Sequence, residues 1–212
     1  MTADQLEKKL RDALRDTSDA EPRPMASLDL PFKMEKLIIT PSMLAALRPA
    51  AVLVPVMRRP QGLTVMLTVR ADTLRSHKGQ ISFPGGRRDD TDTSAAVNAT
   101  REAQEEVGLD PNLVEVIGYL DDYPTLTKYR VTPVVGIVSG DPRLDHCADE
   151  VAEIFEVPLE FVLARKSFET KILSREGMNL PFYELNHGKH RIWGATAGML
   201  WDLYKKWDSH GQ

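Results

Sequence analysis

The stretch from Gly79 to Leu109, GQISFPGGRRDDTDTSAAVNATREAQEEVGL, joins a glycine-rich turn to a charged helical pattern. Asp92, Thr93 and Ser94 all carry side-chain oxygens able to cap a helix N-terminus, and Gly108 stands where a left-handed residue would end one. The pattern predicts a helix from about Ser94 to Val107. At roughly 100° per residue, Ala96, Thr100, Ala103 and Val107 fall in one stripe with Ala99 beside it, and this stripe is expected to pack on a sheet. Glu102, Glu105 and Glu106 occupy the adjoining arc, so three carboxylates are expected to converge beside the buried face, with Arg101 one turn before Glu105.

Like charges at this spacing cost an isolated helix about 0.2–0.5 kcal/mol per pair. The cluster therefore opposes stability unless a cation neutralises it, and hard ions such as Mg²⁺ or Mn²⁺ prefer oxygen ligands of this kind. Taken without its surroundings, the helix reads equally as a solvated acidic face with Arg101 in a surface ion pair. The turn Phe83-Pro84-Gly85-Gly86 immediately upstream favours the metal reading.

Turn and helix together resemble the Nudix box, G-x5-E-x7-R-E-U-x-E-E-x-G-U with U aliphatic. Gly86, Arg101-Glu102, Ala103 at the first U, Glu105-Glu106 and Gly108-Leu109 carry the resemblance. One departure stands out: fourteen residues separate Gly86 from Arg101, against thirteen in the pattern. Asp92 or Thr93 lies near the place of the first glutamate, whose role is not carried over, and Asp92 is read as a helix cap.

Further upstream, Met66 to Gly86 reads MLTVRADTLRSHKGQISFPGG. It is similar to the signature LLTxRSxxLRxHxGQVxFPGG of the coenzyme A diphosphatase branch, with conservative changes such as Ala71 for serine and Ile81 for valine.

The resemblance covers about Pro49 to Tyr204 and implies the α/β Nudix fold, an α/β/α sandwich around a mixed sheet. It implies Glu102, Glu105 and Glu106 as ligands of Mg²⁺ or Mn²⁺, joined by a backbone carbonyl at Gly85 or Gly86. Arg101 would orient Glu105, and one glutamate, among these or from a nearby loop, would act as general base. The substrate implied is coenzyme A or a derivative, with 3′,5′-ADP and 4′-phosphopantetheine as products.

Arg70, Arg75, His77, Lys78 and Gln80 supply cations and donors just before the turn, where phosphates could be held, and Gly86 would let backbone approach them. Each can equally brace a loop, and His77, with no cysteine or second clustered histidine, is a poor zinc ligand. Glu150 and Glu153, near the place of an extra glutamate in some family members, read more simply as solvated strand residues. Rivals are hydrolysis of ADP-ribose, NADH or capped nucleotides, and a non-catalytic nucleotide-binding module. Intact glutamates argue against the last.

The 212 residues suffice for one substantial core, and a net charge of −4 gives no footprint for nucleic acid or anionic membrane. Cys147 is the only cysteine, which excludes an intramolecular disulfide. No apolar run approaches the roughly 18 residues of a membrane span, and the mixed-charge N-terminus lacks the marks of a signal or transit peptide. A cytoplasmic enzyme is expected.

Leu6, Leu10 and Leu14 predict an amphipathic helix within Thr2 to Asp16, packing on the domain or on a partner. Prolines 22, 24 and 31 then mark a linker, so residues 1–31 are expected as helix and linker and 32–212 as a single domain. Strand patterns follow at 50–56, 63–70, 80–83, 114–120 and 129–138, the first two forming a hairpin. Beyond them come a strand to Pro158 with a short helix to Leu163, a late hairpin from 168–173 and 181–185, and a helix from Ala195 to Trp207. Trp193, Trp201 and Trp207 are read as core or homodimer contacts.

Overall fold

A computed structural model describes residues 1–19, 41–71, 79–125, 127–175 and 178–210. Along the chain run α1 (Ala3–Leu14), α2 (Pro41–Ala45), β1 (Arg48–Arg59), β2 (Gly62–Arg70), β3 (Ile81–Ser82), β4 (Gly85–Arg87) and α3 (Ala95–Val107). After these come β5 (Val114–Tyr119), β6 (Tyr123–Pro124), β7 (Tyr129–Val138), β8 (Val151–Pro158) and α4 (Leu159–Val162). The remaining elements are β9 (Glu169–Arg175), β10 (Met178–His187), β11 (His190–Trp193) and α5 (Ala195–Ser209).

Strand order in the main sheet is β3-β2-β1-β7-β5, with β4 paired to β1, β6 to β7 and β8 to β2. The β1–β7 pair is parallel and its neighbours are antiparallel, so the sheet is mixed as expected. Alternation along the strands decides the layers, because successive side chains leave opposite faces. Ala51, Leu53 and Met57 of β1 and Val134 and Val138 of β7 pack with Ala99, Ala103 and Val107 of α3. Val54, Val56, Val135 and Ile137 join α1 and α5 on the other face. The result is the α/β/α sandwich.

Two readings shift. The buried stripe of α3 runs through Ala95, Ala99, Ala103 and Val107, while Thr100 turns out and its hydroxyl donates to Ala96 O at 2.9 Å. Small alanines let the helix lie close to the sheet, whereas threonine satisfies its hydroxyl against its own backbone. Secondly, β9, β10 and β11 form a separate three-stranded sheet, and β11 is absent from the sequence pattern.

Helix α1 begins with a capping box between Thr2 and Gln5, and Leu6, Leu10 and Leu14 enter the core beside α5. Glu7 pairs with Arg58 at 2.6 Å, and Arg11 with Glu115 at 2.6 Å. Past the helix, Thr17 Oγ1 accepts from the Tyr119 N–H at 2.8 Å, and Asp19 Oδ2 accepts from the Ala95 N–H at 3.0 Å. The segment thus leaves the α5 face, touches edge strand β5 and ends on the first turn of α3 across the sheet. The proposed linker beyond Asp19, residues 20–31, lies outside the described residues.

Trp201 is buried among Phe168, Tyr183 and Tyr204, and Trp207 lies under Lys9 Nζ at 3.7 Å. Trp193 packs edge-on to Phe182. No helix among the described residues is long and apolar enough to cross a membrane.

Candidate active site

The glycine turn is held against the centre of the sheet. Leu53 N–H donates to Pro84 O at 2.9 Å, and β4 runs antiparallel to β1 with Val52 opposite Gly85 and Ala51 opposite Gly86. A Cβ on Gly85 would lie 2.4 Å from Ala51 O, and one on Gly86 would lie 2.5 Å from Glu102 Oε2. Both glycines are therefore dictated by proximity: the first to strand backbone, the second to a carboxylate.

Helix α3 delivers that carboxylate. Ser94 is its N-cap and accepts from the Val97 N–H at 3.1 Å, and Gly108 ends it with φ 69°. Asp92, expected as the cap, does something else. Its carboxylate is buried, accepts from the Asp89 N–H at 2.8 Å and takes both Nε and Nη2 of Arg101, at 3.1 and 3.0 Å. The cap role falls to Ser94 because it sits directly before the first helical residue, whereas Asp92 is drawn to a guanidinium that has two parallel donors to offer. That guanidinium holds the Asp92 carboxyl below the ordinary carboxylate range.

Arg101 also reaches Glu102 Oε1 and Glu105 Oε2, each at 2.9 Å. Its link to Glu105 is the predicted one. Glu105 is nevertheless mostly exposed, with its side chain 60% accessible, against 18% for Glu102 and 6% for Glu106. Spacing placed the three on one arc, but the structure brings only Glu102 and Glu106 to the glycine turn.

Glu106 Oε2 accepts from the Gly85 N–H at 3.2 Å, and Arg70 Nη1 stands 4.0 Å from Oε1. Burial pushes the Glu106 carboxyl up to about 7, against the pull of the Gly85 amide and Arg70 and with help from Glu102 and Glu150. Burial also raises Glu102, opposed chiefly by Arg101. Two carboxylates crowded in a poorly solvated place cannot both ionise cheaply without a cation, and their oxygens suit a hard divalent ion. Among the described residues, no three His, Cys, Asp or Glu side chains stand close enough to hold an ion by themselves.

Arg70 and Gln80 flank the turn, Gln80 O accepting from the Arg70 N–H at 2.9 Å, and Arg70 Nε is buried with no hydrogen-bond partner among the described residues. Arg75, His77 and Lys78 lie outside the described residues. Glu153 is occupied by Lys189 at 3.0 Å and His190 at 3.1 Å, whereas Glu150 is exposed. Cys147 is an exposed free thiol.

A mixed sheet between helices, with a glycine turn clamped to its centre and a glutamate-bearing helix on one face, defines an α/β/α scaffold with an acidic site beside the turn. The match of residues 47–175 to the NUDIX domain makes it specific: the chain belongs to the Nudix family and is a hydrolase acting on diphosphate bonds. It is 46% identical over 157 residues to an uncharacterized Nudix hydrolase, NudL, of Cronobacter sakazakii, covering 74% of this chain and 81% of that protein. NudL of Escherichia coli strain K12 is 45% identical over the same shares. Among solved structures, the MutT protein of Methanosarcina mazei Go1 aligns over 78% of this chain and 96% of its own, at 20% identity and a TM-score of 0.46.

Proposed function

We propose that this hydrolase cleaves the diphosphate bond of coenzyme A or its thioesters in the cytoplasm, giving 3′,5′-ADP and 4′-phosphopantetheine or its acyl form. The carrying observation is the stretch Met66 to Gly86, whose resemblance to the coenzyme A diphosphatase signature runs directly into the catalytic turn.

A diphosphate resists attack because its charge repels nucleophiles. Glu102 and Glu106, with a carbonyl of the Gly85-Gly86 turn, would hold Mg²⁺ or Mn²⁺, whose charge offsets that of the substrate and acidifies a bound water; Glu105, exposed and paired with Arg101, is assigned to the same ion from the resemblance alone. Glu106 gives Oε2 to the Gly85 amide and leaves Oε1 on the side of Arg70, and one of the glutamates, or another from a nearby loop, would act as general base. Arg101 keeps Glu102 and Glu105 in place and is itself fixed by Asp92. Arg70, beside Glu106, would meet a phosphate oxygen, and Arg75, His77 and Gln80 are assigned to the rest of the substrate from sequence.

Incubation with coenzyme A and Mg²⁺ or Mn²⁺, followed by mass spectrometry, tests the reading. Both products are expected. Cleavage of ADP-ribose or NADH without either product would overturn the substrate assignment, and no cleavage across such a panel would leave a binding module.

A further inference from the structure

Strand β9 is the outer strand of the small sheet, and β10 is its one neighbour among the described residues. Its centre carries Ile172 and Leu173, 54% and 40% exposed, adjacent residues that point to opposite faces of the strand. A sheet edge bearing two consecutive large apolar side chains is a template for another strand.

The phase of the ladder shows which backbone groups that edge offers. Strands β10 and β11 are joined by the two-residue turn Gly188-Lys189, with Gly188 at φ 57°, and His187 and His190 form the closing pair. In such a hairpin the closing pair exchanges hydrogen bonds, so alternate residues of β10 back from His187, namely Leu185, Tyr183 and Pro181, direct their main-chain groups away from β9. Proline at 181 agrees, since it has no N–H to give to a ladder. Pro181 lies opposite Ile172. The pair is therefore not hydrogen-bonded, and the N–H and C=O of Ile172 face outward, as do those of Thr170.

We infer that β9 pairs antiparallel with β9 of a second copy of this chain, about a two-fold axis through Ile172. This register makes Ile172 its own partner in a hydrogen-bonded pair and sets Lys171 opposite Leu173. It also sets position 169, acidic, opposite position 175, basic. The edge is thus self-complementary in backbone and in the order of its charges, with Ile172 meeting Ile172 on the axis, while Glu169 keeps Lys171 of its own chain at 2.7 Å. A two-fold contact of this kind closes on itself and consumes the β9 edge of both copies.

Sedimentation equilibrium of the full chain is expected to give a dimer, and Ile172→Lys, which sets two cations face to face on the axis, a monomer with unchanged circular dichroism and hydrolase activity. In a Cys147→Ser background, Ile172→Cys is expected to form a disulfide-linked dimer on oxidation, whereas Thr170→Cys, four residues out of register with its own copy, is not. A wild-type monomer overturns the inference, including one whose β9 edge is covered by its own chain. So does a dimer that survives Ile172→Lys, or equal cross-linking at 170 and 172.

Discussion

Arg101 donates two parallel hydrogen bonds to Asp92, nine residues earlier, while the same guanidinium holds the carboxylates of Glu102 and Glu105. Asp92 is the buried anchor of this set, with its side chain 2% exposed. Asp92→Ala should lower stability by about 1–3 kcal/mol, since it strands the Asp89 amide and one side of Arg101. Turnover should fall more than affinity, because the freed guanidinium no longer fixes its glutamates. Urea titration alongside initial rates checks both.

The two glycines of the turn should respond differently. A methyl on Gly85 meets strand backbone, Ala51 O and Val52 Cα, which cannot yield. Gly85→Ala should cost about 1–3 kcal/mol. A methyl on Gly86 meets the mobile end of Glu102. Gly86→Ala should leave stability within about 1 kcal/mol, yet cut turnover about a hundredfold by displacing that carboxylate. Thermal melts and rate measurements on the pair separate the effects.

Glu106 predicts a pH signature in the metal-free protein. Its folded carboxyl titrates near 7, above the unfolded value of 4.5, so the folded state binds the proton more tightly. Its contribution to stability is fully present below the unfolded value and is lost as pH rises through about 7. The loss should reach up to about 3 kcal/mol. Glu106→Gln should abolish that slope while reducing turnover about 10²–10⁴-fold. Chemical denaturation in chelator from pH 5 to 8 reads the first, and a hydrolysis assay the second; an unchanged slope would remove burial as the cause.

The N-terminal arm should matter to stability through both its helix and its end. Leu10→Ala, at a fully buried position, should destabilise by about 2–5 kcal/mol. Asp19→Ala removes an acceptor from the first turn of α3 and should cost about 1 kcal/mol. Thermal unfolding of both variants tests the sizes.

The sequence made the layers legible because period-2 and period-3.6 patterns report burial directly, as in β1, β7 and α3. It made Glu102 and Glu106 legible because i, i+4 spacing fixes a shared arc. It showed the Arg101–Glu105 pair through the same spacing, but not that Glu105 stays exposed and away from the glycine turn while Glu102 and Glu106 reach it. Nor could it assign Asp92, whose role depends on how loop 88–93 folds back on the helix, a matter of geometry with no local pattern. Strand β11 escaped because His190-Arg191-Ile192-Trp193 is too short to show alternation and is recruited by its neighbour β10.

The segment from Leu14 to Asp19 ties the two helical layers into one cooperative unit. Fraying of α1 would release the Tyr119 and Ala95 amides together, although they lie on an edge strand and on α3. Native-state hydrogen exchange should accordingly report a shared opening for α1, the end of β5 and the first turn of α3, so that the start of the glutamate-bearing helix is only as durable as the grip of the three leucines of α1.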